Sequence, residues 1–125
     1  MEVICVDTDI LIEYNRKKEK SDSILYKLSG EYEIAITSVT AYEILRGDDR
    51  SEDAFWGSYF ASIKVLPFDL GAVAIASTIY RALKSNSIDM PDLLIAAVAV
   101  HHDLPLATLN KKHFERVSSL KLVQF

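Results

Sequence analysis

Short runs rich in β-branched residues alternate along this chain with longer stretches of helical periodicity, and no hairpin-type turn joins any two runs. That alternation predicts an α/β fold in three layers: a central, mainly parallel sheet of about five strands with helices on both faces. Length agrees, since 125 residues make a single domain spanning 1–125 whose core needs neither disulfide nor structural metal.

The elements can be taken in order. Val3-Ile4-Cys5-Val6 is a continuous apolar run, the pattern of a strand buried on both faces. It stops at Asp7-Thr8-Asp9, and Ile10, Leu11 and Tyr14 then fall on related faces of a helix. The charged stretch Arg16 to Lys20 leads to a second helix carrying Ile24, Leu25 and Leu28 and stopped near Gly30. Ile34-Ala35-Ile36 is the second strand, closed by Thr37-Ser38; a helix with Tyr42, Ile44 and Leu45 follows and ends at Gly47. Behind the acidic turn Asp48-Asp49, the aromatics Phe55, Trp56, Tyr59 and Phe60 recur at helical spacing. Val65-Leu66 is a third strand ended by Pro67, Gly71 to Lys84 a long helix, and Pro91 to His102 another. Leu106-Ala107 and Leu122-Val123 read as the last two strands, with a short helix around Lys111 to Arg116 between them.

Composition narrows the function classes. One cysteine excludes an internal disulfide framework, and Cys5 reads as a buried reduced thiol. The longest nearly uncharged stretch, Leu93 to Val100, is far short of the roughly 20 residues a membrane span needs. No cationic leader precedes an apolar segment, so a cytoplasmic location is expected. The net charge of −4 argues against a general polyanion-coating protein.

The distribution of that charge points to a site. In parallel sheets ligands bind beyond the carboxyl ends of the strands, so acids that follow strands carry the interest. Asp7 ends the first strand, Asp9 opens the helix behind it, and Glu43 follows the second strand. Asp92 directly follows Pro91, which favours the first helical position and puts Asp92 in the first turn. Each has a structural alternative: Asp7 or Asp9 as a helix cap, Thr40-Ala41-Tyr42-Glu43 as a capping box, and Asp92 as an ordinary helix start. Grouped together, such carboxylates repel one another, and a hard divalent cation relieves the repulsion. Mg²⁺ is the expected ion and Mn²⁺ a substitute; either can activate water and steady a leaving oxygen in phosphodiester cleavage. Setting those four acids aside leaves acidic and basic residues equal at 14, so the excess charge is expected in one pocket. Affinity for a phosphodiester substrate should then be weak in chelator.

Four segments resemble, in order, the motifs of one family. They are Val6-Asp7-Thr8-Asp9-Ile10-Leu11-Ile12, Thr40-Ala41-Tyr42-Glu43-Ile44-Leu45-Arg46-Gly47, Asp92-Leu93-Leu94-Ile95-Ala96-Ala97, and Ala107-Thr108-Leu109-Asn110-Lys111-Lys112-His113-Phe114-Glu115-Arg116. Together they resemble the PIN-domain ribonucleases, in particular the toxin subunits of VapBC-type toxin–antitoxin pairs. The resemblance implies a PIN-like fold, endoribonuclease activity on an RNA substrate, a cognate antitoxin and a homodimer. It implies Asp7, Glu43 and Asp92 as catalytic, metal-holding carboxylates, with Asp9 a further candidate ligand where the family often has Asn. Thr8, Arg46, Thr108 and Asn110 are implied as supporting or substrate-binding residues. Asn110 and His113 stand where an acid often precedes the Phe, which favours one firmly held ion over two.

Other features have plainer readings. Arg46 lies three residues after Glu43 on one helical face, placed to pair with it or approach a phosphate. Lys17, Lys18 and Lys20, and Lys111, Lys112 and Arg116, are candidate RNA-facing patches that solvated surface explains equally. His101 and His102 lie about 100° apart on a helix and cannot share an ion without distortion. The aromatic stripe is core, with part of its breadth left for a groove that an antitoxin tail covers. Two alternatives remain: a non-catalytic PIN-like protein- or RNA-binding module, and a haloacid-dehalogenase-like phosphohydrolase with Asp7 and Asp9 as its acid pair. The second lacks the usual following Gly, with Ile10 in its place.

Overall fold

The strand β1 (Val3–Val6) is the pivot of the sheet. It pairs in parallel with β2 (Glu33–Thr37) on one side and β4 (Leu106–Ala107) on the other, while β3 (Lys64–Leu66) lies outside β2. The order is β3-β2-β1-β4, every pairing parallel, in this computed structural model. Residues 1–47 and 49–125 are described; Asp48, part of the expected acidic turn, lies outside the described residues.

The helices are α1 (Thr8–Arg16), α2 (Ile24–Ser29), α3 (Ser38–Leu45) and α4 (Asp53–Ser62) in the first half of the chain. In the second half come α5 (Leu70–Leu83), α6 (Met90–His101) and the single turn α7 (Lys111–Phe114). Side-chain alternation along the strands sorts the core into two faces. Ile4, Val6, Ile34 and Ile36 pack with Ile10 and Leu11 of α1, Leu25 and Leu28 of α2, and Trp56 of α4. Cys5 and Leu106 point the other way, against Ala76 and Ile79 of α5, Ile95, Ala96 and Ala99 of α6, and Phe114 of α7. The β-branched runs are continuous because both faces of the sheet are covered, as the three-layer expectation required.

Half of the buried residues of α6 are alanines, and Leu93 and Ile95 through Ala99 are all buried. Small side chains let this helix sit close to both the sheet and α5. Phe114, fully enclosed, closes the layer at its end, a burial worth roughly 1.5–3 kcal/mol.

Two local expectations change. The fifth strand reduces to one parallel bridge between Leu106 and Leu122, with Leu106 N–H donating to Lys121 O and Val123 N–H to Leu106 O. The sheet proper therefore has four strands. The box from Thr40 to Glu43 does not cap a helix either. Helix α3 begins earlier, at Ser38, and Thr37 is its cap, its hydroxyl accepting from Thr40 N–H. Glu43 is thereby in the second turn and free for another role. Among the described residues no helix is long and apolar enough to cross a membrane.

The topology fixes where a ligand would bind. From β1 the chain runs outward to β2 and β3 on one side, and β4 returns on the other. The carboxyl ends of β1 and β4 flank the point where strand order reverses, the usual crevice in open α/β sheets. Asp7 and Thr108 follow those two strands.

Candidate active site

Asp7 leaves β1 in extended conformation and caps α1, its Oδ1 accepting from Thr8 N–H at 2.8 Å. Its other oxygen, Oδ2, accepts from the hydroxyl of Thr108 at 2.7 Å, across 101 positions of sequence. Backbone pairing brings the two together: Asp7 N–H donates to Ala107 O at 2.9 Å, extending the β1–β4 register by one step. Asp9, in the first turn of α1, spans the same gap, accepting from Leu109 N–H at 3.1 Å and lying 3.3 Å from the Thr108 hydroxyl. Thr108 Oγ1 in turn accepts from Asn110 N–H at 2.9 Å. One buried hydroxyl thus organises both aspartates.

Glu43 joins from α3. The Thr8 hydroxyl donates to its Oε1 at 2.6 Å and lies 3.0 Å from the Thr40 hydroxyl, which also approaches Thr37. Arg46 comes within 3.9 Å of Glu43 Oε2, while its guanidinium lies over the Tyr42 ring. The pairing expected from helical spacing is present, but long and largely exposed. Asp92 sits in the first turn of α6, with Pro91 in that same turn, and its Oδ2 is 3.5 Å from His113 Nδ1. The same nitrogen is 2.8 Å from Asn110 Nδ2.

Electrostatics tie the groups into one unit. Burial pushes the Asp7 carboxyl up to about 7, helped by the charges of Asp9 and Asp92 and opposed by the Thr108 and Thr8 hydrogen bonds. Burial also raises Asp9, against the bonds from Leu109 and Thr108. Asp92 is raised by burial and by the charges of Glu43 and Asp89, while His113 pulls it down. Cys5, fully enclosed beneath Asp7, is pushed up to about 12 by burial and then by the Asp7 charge, so it stays a thiol.

Among the described residues no three His, Cys, Asp or Glu side chains stand as a ready-made ion cage. The donor set nevertheless suits Mg²⁺, which keeps several waters and takes only one or two carboxylates directly. All four acids offer oxygen, and their charges oppose one another. Asp9 Oδ1 is buried without a hydrogen-bond partner, an acceptor that a hydrated cation would satisfy.

Sequence reasoning placed Asp7, Asp9, Glu43, Asp92, Thr8, Thr108, Asn110 and Arg46 in this region, and all meet there. It missed Thr37 and Thr40, whose signal was a pair of threonines at a strand-to-helix junction. It also missed His113 as the partner of Asp92. Part of the expected basic surface is spent on the fold: Lys20 Nζ donates to Tyr14 O and Asn15 O at the end of α1, and Arg116 donates to Ser87 O. Lys111 covers the Phe125 ring. His101 pairs with Asp69 at 3.6 Å and meets His102 edge to face. In the aromatic stripe, Trp56 is buried and Phe55 remains exposed, stacked between Tyr14 and Tyr59.

Comparison with known proteins agrees with this geometry. Residues 4–120 match the PIN domain family. Ribonuclease VapC1 of Methanocaldococcus jannaschii is 36% identical over 122 residues, covering 95% of this chain and 84% of that protein. Ribonuclease VapC10 of Mycobacterium tuberculosis is 32% identical over 121 residues, covering 95% and 91%. The fold also matches VapBC-1 from nontypeable Haemophilus influenzae, with TM-score 0.81, 21% identity and coverage of 98% and 97%. DNA-bound VapBC from Salmonella typhimurium matches with TM-score 0.80, 22% identity and 98% of each chain. With the acids at the switch point and the match running through nearly the whole sequence, this chain belongs to the PIN-domain family, in its VapC branch.

Proposed function

We propose that this protein is a metal-dependent endoribonuclease that hydrolyses RNA phosphodiester bonds as the toxin of a toxin–antitoxin pair. The observation that carries the reading is the set of four acids at the β1–β4 crevice, three organised by Thr108 and Thr8 and the fourth, Asp92, beside His113. The relatives' designation as ribonucleases supports the reaction class.

Asp7 and Asp92 would hold Mg²⁺, with Mn²⁺ able to replace it and Asp9 and Glu43 contributing through water. When bound, the ion supplies positive charge to the phosphate and lowers the pKa of water. The residues do the rest. Thr108 fixes Asp7 and Asp9 in one orientation, and Thr8 holds Glu43 by Oε1, leaving Oε2 to take a proton from the attacking water. The water oxygen bonds to phosphorus in line as the bond to the leaving ribose oxygen breaks, and that oxygen takes a proton from solvent to leave as a hydroxyl. His113 lies beside Asp92, with Asn110 against the same ring nitrogen.

The antitoxin would lie in the groove between α1, α3 and α4. This cleft of about 350 Å³ has Trp56 and Ile44 in its wall and Glu43, Asp49, Glu52 and Asp53 along it. Such a lining suits a basic, partly apolar segment. A second copy of the chain would cover the face of α5 and α6, where Val73, Tyr80 and Met90 are exposed beside Leu93 and Leu94. Sedimentation of the purified protein reads that state directly.

The deciding experiment incubates the protein with structured RNA in Mg²⁺ or Mn²⁺ and maps the cut ends. Asp7→Asn and Asp92→Asn should abolish cleavage while keeping the fold by circular dichroism. Unchanged cleavage in either variant would sink the assignment, and a folded protein that binds no Mn²⁺ by calorimetry would favour a non-catalytic module.

A further inference from the structure

Two clefts flank α1, and they differ in charge. Ile12 and Arg16 line both and form the ridge between them. The cleft toward α3 and α4 carries Glu43, Asp49, Glu52 and Asp53 against a single Arg16, an arrangement that repels a phosphate chain. The cleft on the other side encloses about 550 Å³ and is lined by Asp9, Ile12, Glu13, Arg16, Lys17 and Leu109.

The formal charges of this second cleft balance, Asp9 and Glu13 against Arg16 and Lys17, and local bonding decides which are free. Glu13 is already committed, its Oε1 accepting from Ile24 N–H at 2.9 Å and its Oε2 lying 3.6 Å from Lys17. Arg16 is exposed and makes no ion pair among the described residues. Asp9 belongs to the acid cluster at the head of the cleft. Leu109, whose N–H holds Asp9, is 51% exposed beside it, and Ile12 is 37% exposed. An open apolar pair thus lies between the reactive acids and an uncommitted guanidinium. Asp9 and Arg16 are seven residues apart on α1, about 10 Å of helical rise.

From this juxtaposition we infer that the cleft between α1 and the loop after β4 is the subsite for the nucleotide adjoining the scissile phosphodiester. Its base rests on Leu109 and Ile12, and its phosphate is held by Arg16. The inference rests on the ribonuclease reading and adds to it the direction in which the single strand leaves the acids. A volume of about 550 Å³ lies within the range of small-ligand sites.

The test uses a fluorescein-labelled oligouridylate, titrated by anisotropy in Ca²⁺ to slow cleavage, alongside cleavage of the same RNA in Mg²⁺. Arg16→Ala should weaken binding about tenfold near 0.1 M salt and lower the salt slope by about 0.7. Arg16→Lys should recover most of the loss. Lys121→Ala, which removes the same charge at the opposite end of the sheet, should leave binding unchanged. Leu109→Trp places an indole in the cleft, while the native Trp56 is only 3% exposed; its emission should be quenched by the oligonucleotide as a base stacks on it. Equal losses in Arg16→Ala and Lys121→Ala, or an unquenched Leu109→Trp that still binds RNA, would overturn the subsite while leaving the ribonuclease assignment standing. A wild-type protein that neither binds nor cuts RNA would bring down both.

Discussion

Asp7→Asn should stabilise the metal-free protein at neutral and alkaline pH, although it destroys the proposed site. Asp7 is 4% exposed, and its carboxyl rises from 3.8 to about 7, first through burial and then through the charges of Asp9 and Asp92. A carboxyl moved that far loses about 4 kcal/mol of preference for its charged form, at 1.36 kcal/mol per pH unit. The sign follows from proton binding. Between pH 3.8 and about 7 the folded chain keeps a proton that the unfolded chain has released, so stability falls as pH rises through that window. Asp9 and Asp92 are shifted in the same direction and add to the slope. Asparagine removes the charge and keeps one oxygen, enough for Thr8 N–H, while its Nδ2 donates to the Thr108 hydroxyl in place of accepting from it, with some loss of bond strength. A net gain of about 2 kcal/mol near pH 8 is expected, or roughly 6–10 °C in Tm, shrinking toward zero near pH 4.5. The assay is thermal denaturation of wild type and Asp7→Asn in EDTA across that range. A wild type more stable at pH 8 than at pH 5 in EDTA, or an Asp7→Asn variant that gains nothing at pH 8, would refute the reasoning.

Three further outcomes follow from the same geometry. Mn²⁺ at a hundred times its Kd should stabilise the wild type by about 2.7 kcal/mol, and EDTA should reverse it; Asp92→Asn should show no such rise in the same melts. Thr108→Val leaves Asp7 Oδ2 without its buried donor and should cost about 1–3 kcal/mol at pH 8 by urea unfolding. That loss should be smaller at pH 5, where Asp7 carries its own proton. Glu43→Gln keeps an acceptor for Thr8 and should fold normally, yet cleave RNA at least about a hundredfold more slowly in single-turnover assays.

The acids were legible because each sits where local rules put it. Asp7 ends a β-branched run, and Asp92 follows a helix-starting proline. The bland reading of Glu43 fell on a local detail, since Thr37 competed successfully with Thr40 for the cap and freed the glutamate. Basic residues were the least legible. Lys20 and Arg116 look like free surface charge, but a nearby carbonyl consumes each, and the carbonyl's position depends on how the chain turns back. The last strand failed for a related reason: with β4 only two residues long, the edge offers Leu122 room for a single bridge.

The sequence by itself determined the parallel three-layer plan, the two-sided burial of β1, and four acids on the carboxyl-end side of the sheet, three of them at a strand end or a helix start. Periodicity and capping act over a few residues, so a linear string contains them. Only the tertiary structure decided that Thr108 would organise Asp7 and Asp9, that Thr8 would hold Glu43, and that α1 would divide an acidic groove from a formally neutral one. Those contacts join elements up to 101 positions apart. They exist because the packed sheet sets β4 beside β1, and hydrogen bonds of under 3 Å cannot form until that packing has fixed both ends.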